Sequence, residues 1–342
     1  MVKYLLLLLI TGLAFSGIAI AEDLKNASEW LRDAKLLFQI YPHQNEYKAL
    51  ELEEKFFQLA QSSAKKSIEL DNNQPEAWII KGDILRWHQD FEEAQVSYDR
   101  ALEINPLDYS SWEKKGEIFV DQKKEGDAIE CYDRAICCCK YCQRANISHK
   151  RSPEALIWMK KGRVLSSLGR IDDALECYNN SIEIFNDPKE LGVKTAADAL
   201  IEKGIVYRKK GEYLYALEFF NESRNFSRGF ENSELKARAW LNMGVTRLMM
   251  RDYHDSIECF NCSIESLNND NFTENDKNAW AAWFGKATAL ALLNKGTDSD
   301  NAYDTAIEIA GGNPDLSVHG IKWRLGILKE YLSRGWNDVL GV

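Results

Sequence analysis

Residues 75–108 read PEAWIIKGDILRWHQDFEEAQVSYDRALEINPLD, and residues 109–142 read YSSWEKKGEIFVDQKKEGDAIECYDRAICCCKYC. The two stretches abut and share one spacing. Trp78 and Trp112 each stand four residues before a glycine, Gly82 and Gly116. Twelve residues after each glycine comes an alanine (Ala94, Ala128), four later a tyrosine (Tyr98, Tyr132), and three later another alanine (Ala101, Ala135). Within each stretch the large apolar residues recur every three or four positions, the period of an amphipathic helix. A glycine lets two helices approach where a side chain would clash, and the small residue twelve on is expected to face it. The aromatic is expected to fill the gap between neighbouring units.

The pattern continues along the chain. Trp158, Gly162, Ala174, Tyr178 and Ser181 form a third copy; Leu200, Gly204, Ala216, Phe220 and Ser223 a fourth; Trp240, Gly244, Ser256, Phe260 and Ser263 a fifth. A weaker sixth runs through Trp283, Ala287, Leu290, Ser299, Tyr303 and Ala306. The copies align as 75–108, 109–142, 155–188, 197–230, 237–270 and 280–313, with insertions of 12, 8, 6 and 9 residues at the later junctions. Asn105-Pro106 and Asp187-Pro188 are helix-ending signals between copies. This spacing resembles the tetratricopeptide repeat (TPR), over about residues 75–313, and the Ile/Leu-Glu-Cys-Tyr wording resembles repeats abundant in prokaryotes, archaea especially. The resemblance implies an all-α, right-handed superhelical solenoid of antiparallel helix pairs. The longer units imply longer helices.

The ends read differently. Residues 1–21 combine Lys3, an apolar run from Tyr4 to Phe15, and Ala19-Ile20-Ala21, the arrangement of a secretory signal peptide cleaved after Ala21. An uncleaved membrane anchor is the alternative. Residues 22–74 read as an N-terminal helical pair, a degenerate repeat: Phe57, Ala60, Ala64 and Leu70 match a second helix, but the first lacks the glycine. Within 314–342, Val318, Ile321, Leu325, Leu328 and Leu332 suit a capping helix, which a solenoid needs to cover its last apolar face.

The resemblance places positions 2, 5, 9, 12 and 13 of each repeat on a ligand groove. In the first two copies these include Glu76, Asp83, Arg86, Trp87, Glu113, Glu117 and Asp121. Later ones include Met159, Arg163, Ile201, Ile205, Leu241, Val245, Leu248, Met249, Phe284 and Leu292. The expectation is a groove acidic at one end and apolar at the other, suited to a partner with a basic segment followed by apolar anchors; alternatively the apolar stripe is core. The carboxylate clamp of chaperone-binding TPRs is not expected, because Ile79, Asp83, Glu113, Glu117 and Met159 do not supply its cations; only Arg163 fits in kind.

Eight cysteines are present. Cys131, Cys177 and Cys259 share one repeat position and read as small apolar side chains. In Cys137-Cys138-Cys139-x-x-Cys142, Cys139 and Cys142 are a candidate disulfide; packed thiols or a soft-metal site are the alternatives, and a zinc site would want four ligands. Seven Asn-x-Ser/Thr sequons occur, at Asn26, Asn146, Asn179, Asn221, Asn225, Asn261 and Asn271. Asn146 and Asn271, in insertions, are the preferred glycosylation candidates.

The formal net charge is −10, with no run of five like charges and no basic stripe for phosphates, so nucleic acid is not an expected partner. No Gly-x-Ser-x-Gly, phosphate loop or His-Glu-x-x-His occurs, and the five histidines share no spacing. No cofactor, metal or catalytic residue is implied. The expected function is a non-catalytic protein–protein interaction scaffold, secreted or on the extracytoplasmic cell surface, touching the membrane only through residues 1–21 if these are uncleaved. An envelope-assembly component using the convex face or the ends is the alternative, and an enzyme or sugar binder a distant third. Nothing in the repeats specifies an oligomeric state.

Overall fold

The computed structural model describes residues 27–40, 50–145, 152–184, 193–227, 233–268 and 277–309. Residues 1–21 and 314–342, Asn146 and Asn271 lie outside the described residues. Fourteen α-helices and no strand occur among those described. They are α1 (Ala27–Ile40), α2 (Leu50–Leu70), α3 (Pro75–Trp87), α4 (Phe91–Ile104), α5 (Tyr109–Asp121), α6 (Glu125–Arg144) and α7 (Ser152–Ser167). There follow α8 (Ile171–Ile184), α9 (Val193–Lys209), α10 (Tyr213–Ser227), α11 (Ser233–Met249), α12 (Tyr253–Asn268), α13 (Lys277–Leu292) and α14 (Gly296–Ile309). No helix among the described residues is long and apolar enough to cross a membrane.

The chain divides into two compact units, 1–138 and 139–342. Each is a stack of helix hairpins. In the first unit α1 pairs with α2 and α3 with α4; α2 also packs on α3, and α4 on α5. In the second unit the hairpins are α7–α8, α9–α10, α11–α12 and α13–α14, each second helix packing on the next hairpin's first. First helices also touch their neighbours: α3 meets α5, α7 meets α9, α9 meets α11, and α11 meets α13.

The periodic residues show why the hairpins close. A Cβ placed on Gly82 would lie 2.6 Å from the Tyr98 ring, on Gly116 2.7 Å from Tyr132, and on Gly204 2.5 Å from Phe220. The glycine therefore faces the aromatic sixteen residues on, as well as the small residue at twelve. That small residue meets the backbone at the glycine position. Ser256 donates its hydroxyl to the Gly244 carbonyl at 2.8 Å, and Ser299 to that of Ala287 at 2.9 Å. The aromatic also reaches the next hairpin: Phe260 lies against Gly285 as well as Gly244.

Buried serines are satisfied by the same register. Ser181, Ser223 and Ser263, all fully buried, donate to the carbonyls of Ala155, Ala197 and Ala237, each at 2.8 Å. A hydroxyl in a helix core is tolerable only with such a partner. The N-terminal pair lacks both halves of the glycine–aromatic contact. Ala64 occupies the aromatic slot and packs with Ala34, Ala60, Ile80 and Ile84, so no glycine is required opposite. Leu70, read as part of that core, is 58% exposed because it ends α2 beyond the packed face.

The inserted residues lengthen the first helices: α3 and α5 have 13 residues, whereas α7, α9, α11 and α13 have 16 or 17. Six turns within hairpins share one C-cap. The residue at the fifteenth repeat position takes positive φ: Gln89, Lys123, Gly169, Gly211, Arg251 and Asn294, between 57° and 80°. The next amide donates five residues back in each turn, as from Asp90 to Leu85 at 2.9 Å and from Asp252 to Arg247 at 2.9 Å. This is the Schellman arrangement, which satisfies helix-end carbonyls.

Candidate functional site

In the first unit, α3 and α5 present facing rows of charge. Arg86 binds the Glu117 carboxylate and, through Nε and Nη2, Asp121 at 2.9 Å. Lys114 lies 3.5 Å from Asp83 and 3.9 Å from Glu117. The Tyr98 hydroxyl donates to Asp83 Oδ1 at 2.6 Å. Burial raises the pKa of Asp83 above the ordinary carboxylate value, while Lys114 and the Tyr98 hydroxyl oppose that rise.

These residues border a cleft of about 580 Å³ lined by Asp83, Arg86, Trp87, Gln89, Phe91, Lys114 and Asp121. Trp87 ends α3 and is 50% exposed. Phe91 opens α4. The Schellman turn, with Gln89 in the left-handed region, sets the two aromatics on either side of the bend. Three carboxylates and two cations lie within this cluster, leaving a formal excess of one negative charge. The arrangement can hold a side chain on the indole face and exchange hydrogen bonds with polar groups beside it.

Of the residues expected on the groove here, Asp83, Arg86, Trp87 and Asp121 line the cleft and Glu117 braces Arg86. Glu76 is exposed, and Glu113 is buried, outside it. The acidic end is largely neutralised from within the protein. Lys114, Gln89 and Phe91 were not anticipated, because the groove positions of the family do not include theirs. The alternation of sign between Asp83 and Lys114 was the available signal.

In the second unit the apolar groove expected from sequence is not an open surface. Met159, Ile201, Ile205, Leu241, Val245 and Leu248 are all under 9% exposed. Ile201 and Ile205 pack with Phe220, Leu235 and Ala239; Leu241, Val245 and Leu248 pack with Phe260, Ala281, Ala282 and Ala289. Met249 and Phe284 are partly buried against the latter cluster. Neighbouring first helices lie close enough to enclose this stripe. Polar groups seam the same interface. Arg163 binds Glu202 at 2.8 Å, Asp198 pairs with Arg238, and buried Arg208 donates to the Asn242 side chain at 3.0 Å. Burial pushes the Arg208 guanidinium down to about 10.

The structure places no bond between Cys139 and Cys142. Both residues sit on α6, one helical turn apart. Cys131 and Cys259 are buried in apolar surroundings that push their thiols up to about 11 and about 12. The sequons at Asn179, Asn221 and Asn261 each end on a buried, hydrogen-bonded serine, so the repeat register itself accounts for them.

Tetratricopeptide-repeat models match residues 81–141, 155–188 and 195–269. No curated protein matches the chain by sequence. Among solved structures, the apo form of RapI aligns with a TM-score of 0.60 at 15% identity, covering 84% of this chain and 76% of RapI. A STAND-class signal transduction ATPase with a tetratricopeptide-repeat sensor, PH0952 from Pyrococcus horikoshii, gives 0.60 at 13% identity, over 80% of this chain and 43% of that one. A Rap protein complexed with competence and sporulation factor gives 0.54 at 16% identity, over 83% and 77%. At these identities the likeness is one of fold. The repeated glycine–aromatic register, the hairpin stacks and the three matched segments together establish that this chain belongs to the tetratricopeptide-repeat family.

Proposed function

We propose that this chain is a non-catalytic scaffold outside the cytoplasmic membrane that holds a segment of a partner protein in the cleft between α3 and α5. The observation that carries the reading is Trp87, a large aromatic left half-exposed in a concave site rimmed by charge. Aromatic anchors dominate protein interfaces, and charged rims fix their register. The slight negative excess favours a segment with a basic residue beside an apolar or aromatic one. A Rap protein of similar fold is solved in complex with competence and sporulation factor, which supports a binding role. The pattern of residues 1–21 supports export.

A peptide library selected on the full chain tests this. Peptides combining a basic and an aromatic residue are expected. Trp87→Ala should weaken them by at least about tenfold, as an interface anchor does, without shifting the helical melt. Selected peptides that bind Trp87→Ala as well as the wild type would remove the cleft from consideration.

A further inference from the structure

The fourth repeat departs from the others at one exposed place. The first turn of the second helix carries Glu92-Glu93, Gly126-Asp127, Asp172-Asp173, His254-Asp255 and Thr297-Asp298 in five repeats, but Leu214-Tyr215 in the fourth. Leu214 is 73% exposed and Tyr215 56%. The position filled by Cys131, Cys177 and Cys259 elsewhere is Phe219 here. Its ring lies 5.2 Å from Tyr207, and Tyr207 lies 5.7 Å from Tyr215, so three rings form one patch beside Leu214.

Lysines flank that patch at both ends. Lys203 lies 4.2 Å from the Phe219 ring centroid and Lys210 5.7 Å from that of Tyr207. Lys209 is exposed alongside. The acids nearby are Glu212, 3.3 Å from Lys210, and exposed Glu218 and Glu222, the last acting on Lys203, whose ammonium donates to Asn179 Oδ1 at 2.8 Å. The whole lies at the α9–α10 turn, where a Cβ on Gly211 would meet nothing within 4 Å. The patch sits at an exposed turn.

We propose that this turn docks on an anionic lipid surface, with Leu214 and Tyr215 entering the headgroup boundary and Lys203, Lys209 and Lys210 meeting lipid phosphates. Tyrosines favour the membrane–water interface, and lysines lay their stems along apolar surface while keeping the ammonium among polar groups. Lysine is depleted at protein–protein interfaces. An exposed turn carrying Leu214 and Tyr215, unlike a concave cleft, suits a soft surface that closes around it. This attachment is independent of both residues 1–21 and the α3–α5 cleft.

Vesicle sedimentation of the full chain tests the proposal, with purely zwitterionic vesicles against vesicles one quarter anionic. Residues 1–21 are common to every variant, so the comparison isolates the turn. Leu214→Glu/Tyr215→Glu and, separately, Lys209→Glu/Lys210→Glu should each lower partitioning onto anionic vesicles by about tenfold or more. Trypsin provides a site-specific readout: cleavage after Lys209 and Lys210 should slow when anionic vesicles are added to the wild type. Partitioning unchanged in both variants, or cleavage unaffected by vesicles, overturns the proposal. So does loss of self-association in the Leu214→Glu/Tyr215→Glu variant without loss of lipid binding, which would make the patch a contact between copies.

Discussion

At Gly204 local and tertiary preferences oppose each other directly. It lies inside α9, where alanine is favoured over glycine by about 1 kcal/mol. Yet a Cβ there would stand 2.5 Å from Phe220 Cε1, 2.8 Å from Cδ1 and 2.9 Å from Cζ. Phe220 is fully buried, packed with Ile201, Ile205, Leu235 and Ala239, and the Arg208 guanidinium sits 5.7 Å from its ring centroid. A rigid ring so enclosed has no room to retreat, and overpacking of this kind costs about 1–3 kcal/mol. The net expectation for Gly204→Ala is a loss of about 1 kcal/mol, propensity included. Gly126 in the first turn of α6 is the control, since nothing lies within 4 Å of its Cβ position. Gly126→Ala should be neutral or stabilising. Urea melts followed by circular dichroism measure both, and hydrogen exchange of α9 and α10 amides localises the effect where the array does not unfold in one step. Phe220→Leu should partly rescue Gly204→Ala, with a coupling of at least about 0.5 kcal/mol. A Gly204→Ala chain more stable than the wild type, additive with Phe220→Leu, would refute the glycine–aromatic account of the hairpin.

Two further outcomes follow from the turns and from Asp83. Gln89, Lys123 and Arg251 hold a left-handed conformation that costs a side-chain-bearing residue about 1–2 kcal/mol. Each change to glycine should therefore raise stability by up to about 1 kcal/mol after the entropy of the unfolded chain is counted, and Gly211→Ala should lower it by a similar amount; thermal melts decide. For Asp83, burial sets the folded pKa above the unfolded one, so the native state binds more protons and stability falls as pH rises through the window that opens at the usual value of 3.8. Asp83→Asn keeps an acceptor for the Tyr98 hydroxyl and should gain on the wild type across that window in urea melts run as a pH series. A wild type that gains on the variant instead would mean that Lys114 outweighs desolvation.

The sequence displayed the hairpins because their closure depends on residue types that leave a periodic trace. Glycine, tryptophan and an aromatic at fixed offsets can be read without coordinates, and the helices fall where that period puts them. The turns were harder to read. Only Gly169 and Gly211 announce a left-handed residue; Gln89, Lys123, Arg251 and Asn294 take the same conformation because the six-to-one hydrogen bond and the hairpin packing impose it. The cleft was half legible. Asp83, Arg86, Trp87 and Asp121 follow from repeat position, but Lys114 and Phe91 enter through a neighbouring helix and a bend, which single-repeat reasoning does not register.

Helix length accounts for the failure of the apolar groove. Positions 5 and 9 of the repeat are assigned to a groove by resemblance to the family. In the second unit they carry an extra turn, and each packs along its neighbour. The aliphatic residues at those positions, Ile201, Ile205, Leu241 and Val245, then gain more by enclosing one another than by waiting for a ligand, since each fully buried side chain contributes about 1.5–3 kcal/mol. In the first unit the corresponding helices are shorter, and positions 9, 12 and 13 of α3 are Asp83, Arg86 and Trp87. Charged groups resist enclosure, so the ion pairs they form keep α3 and α5 bridged at a polar surface. One repeat position thus serves as core where it is aliphatic on a long helix and as a ligand surface where it is charged on a short one. A change such as Leu241→Glu would act on stability through an unpaired buried carboxylate, whereas Trp87→Ala would act on binding.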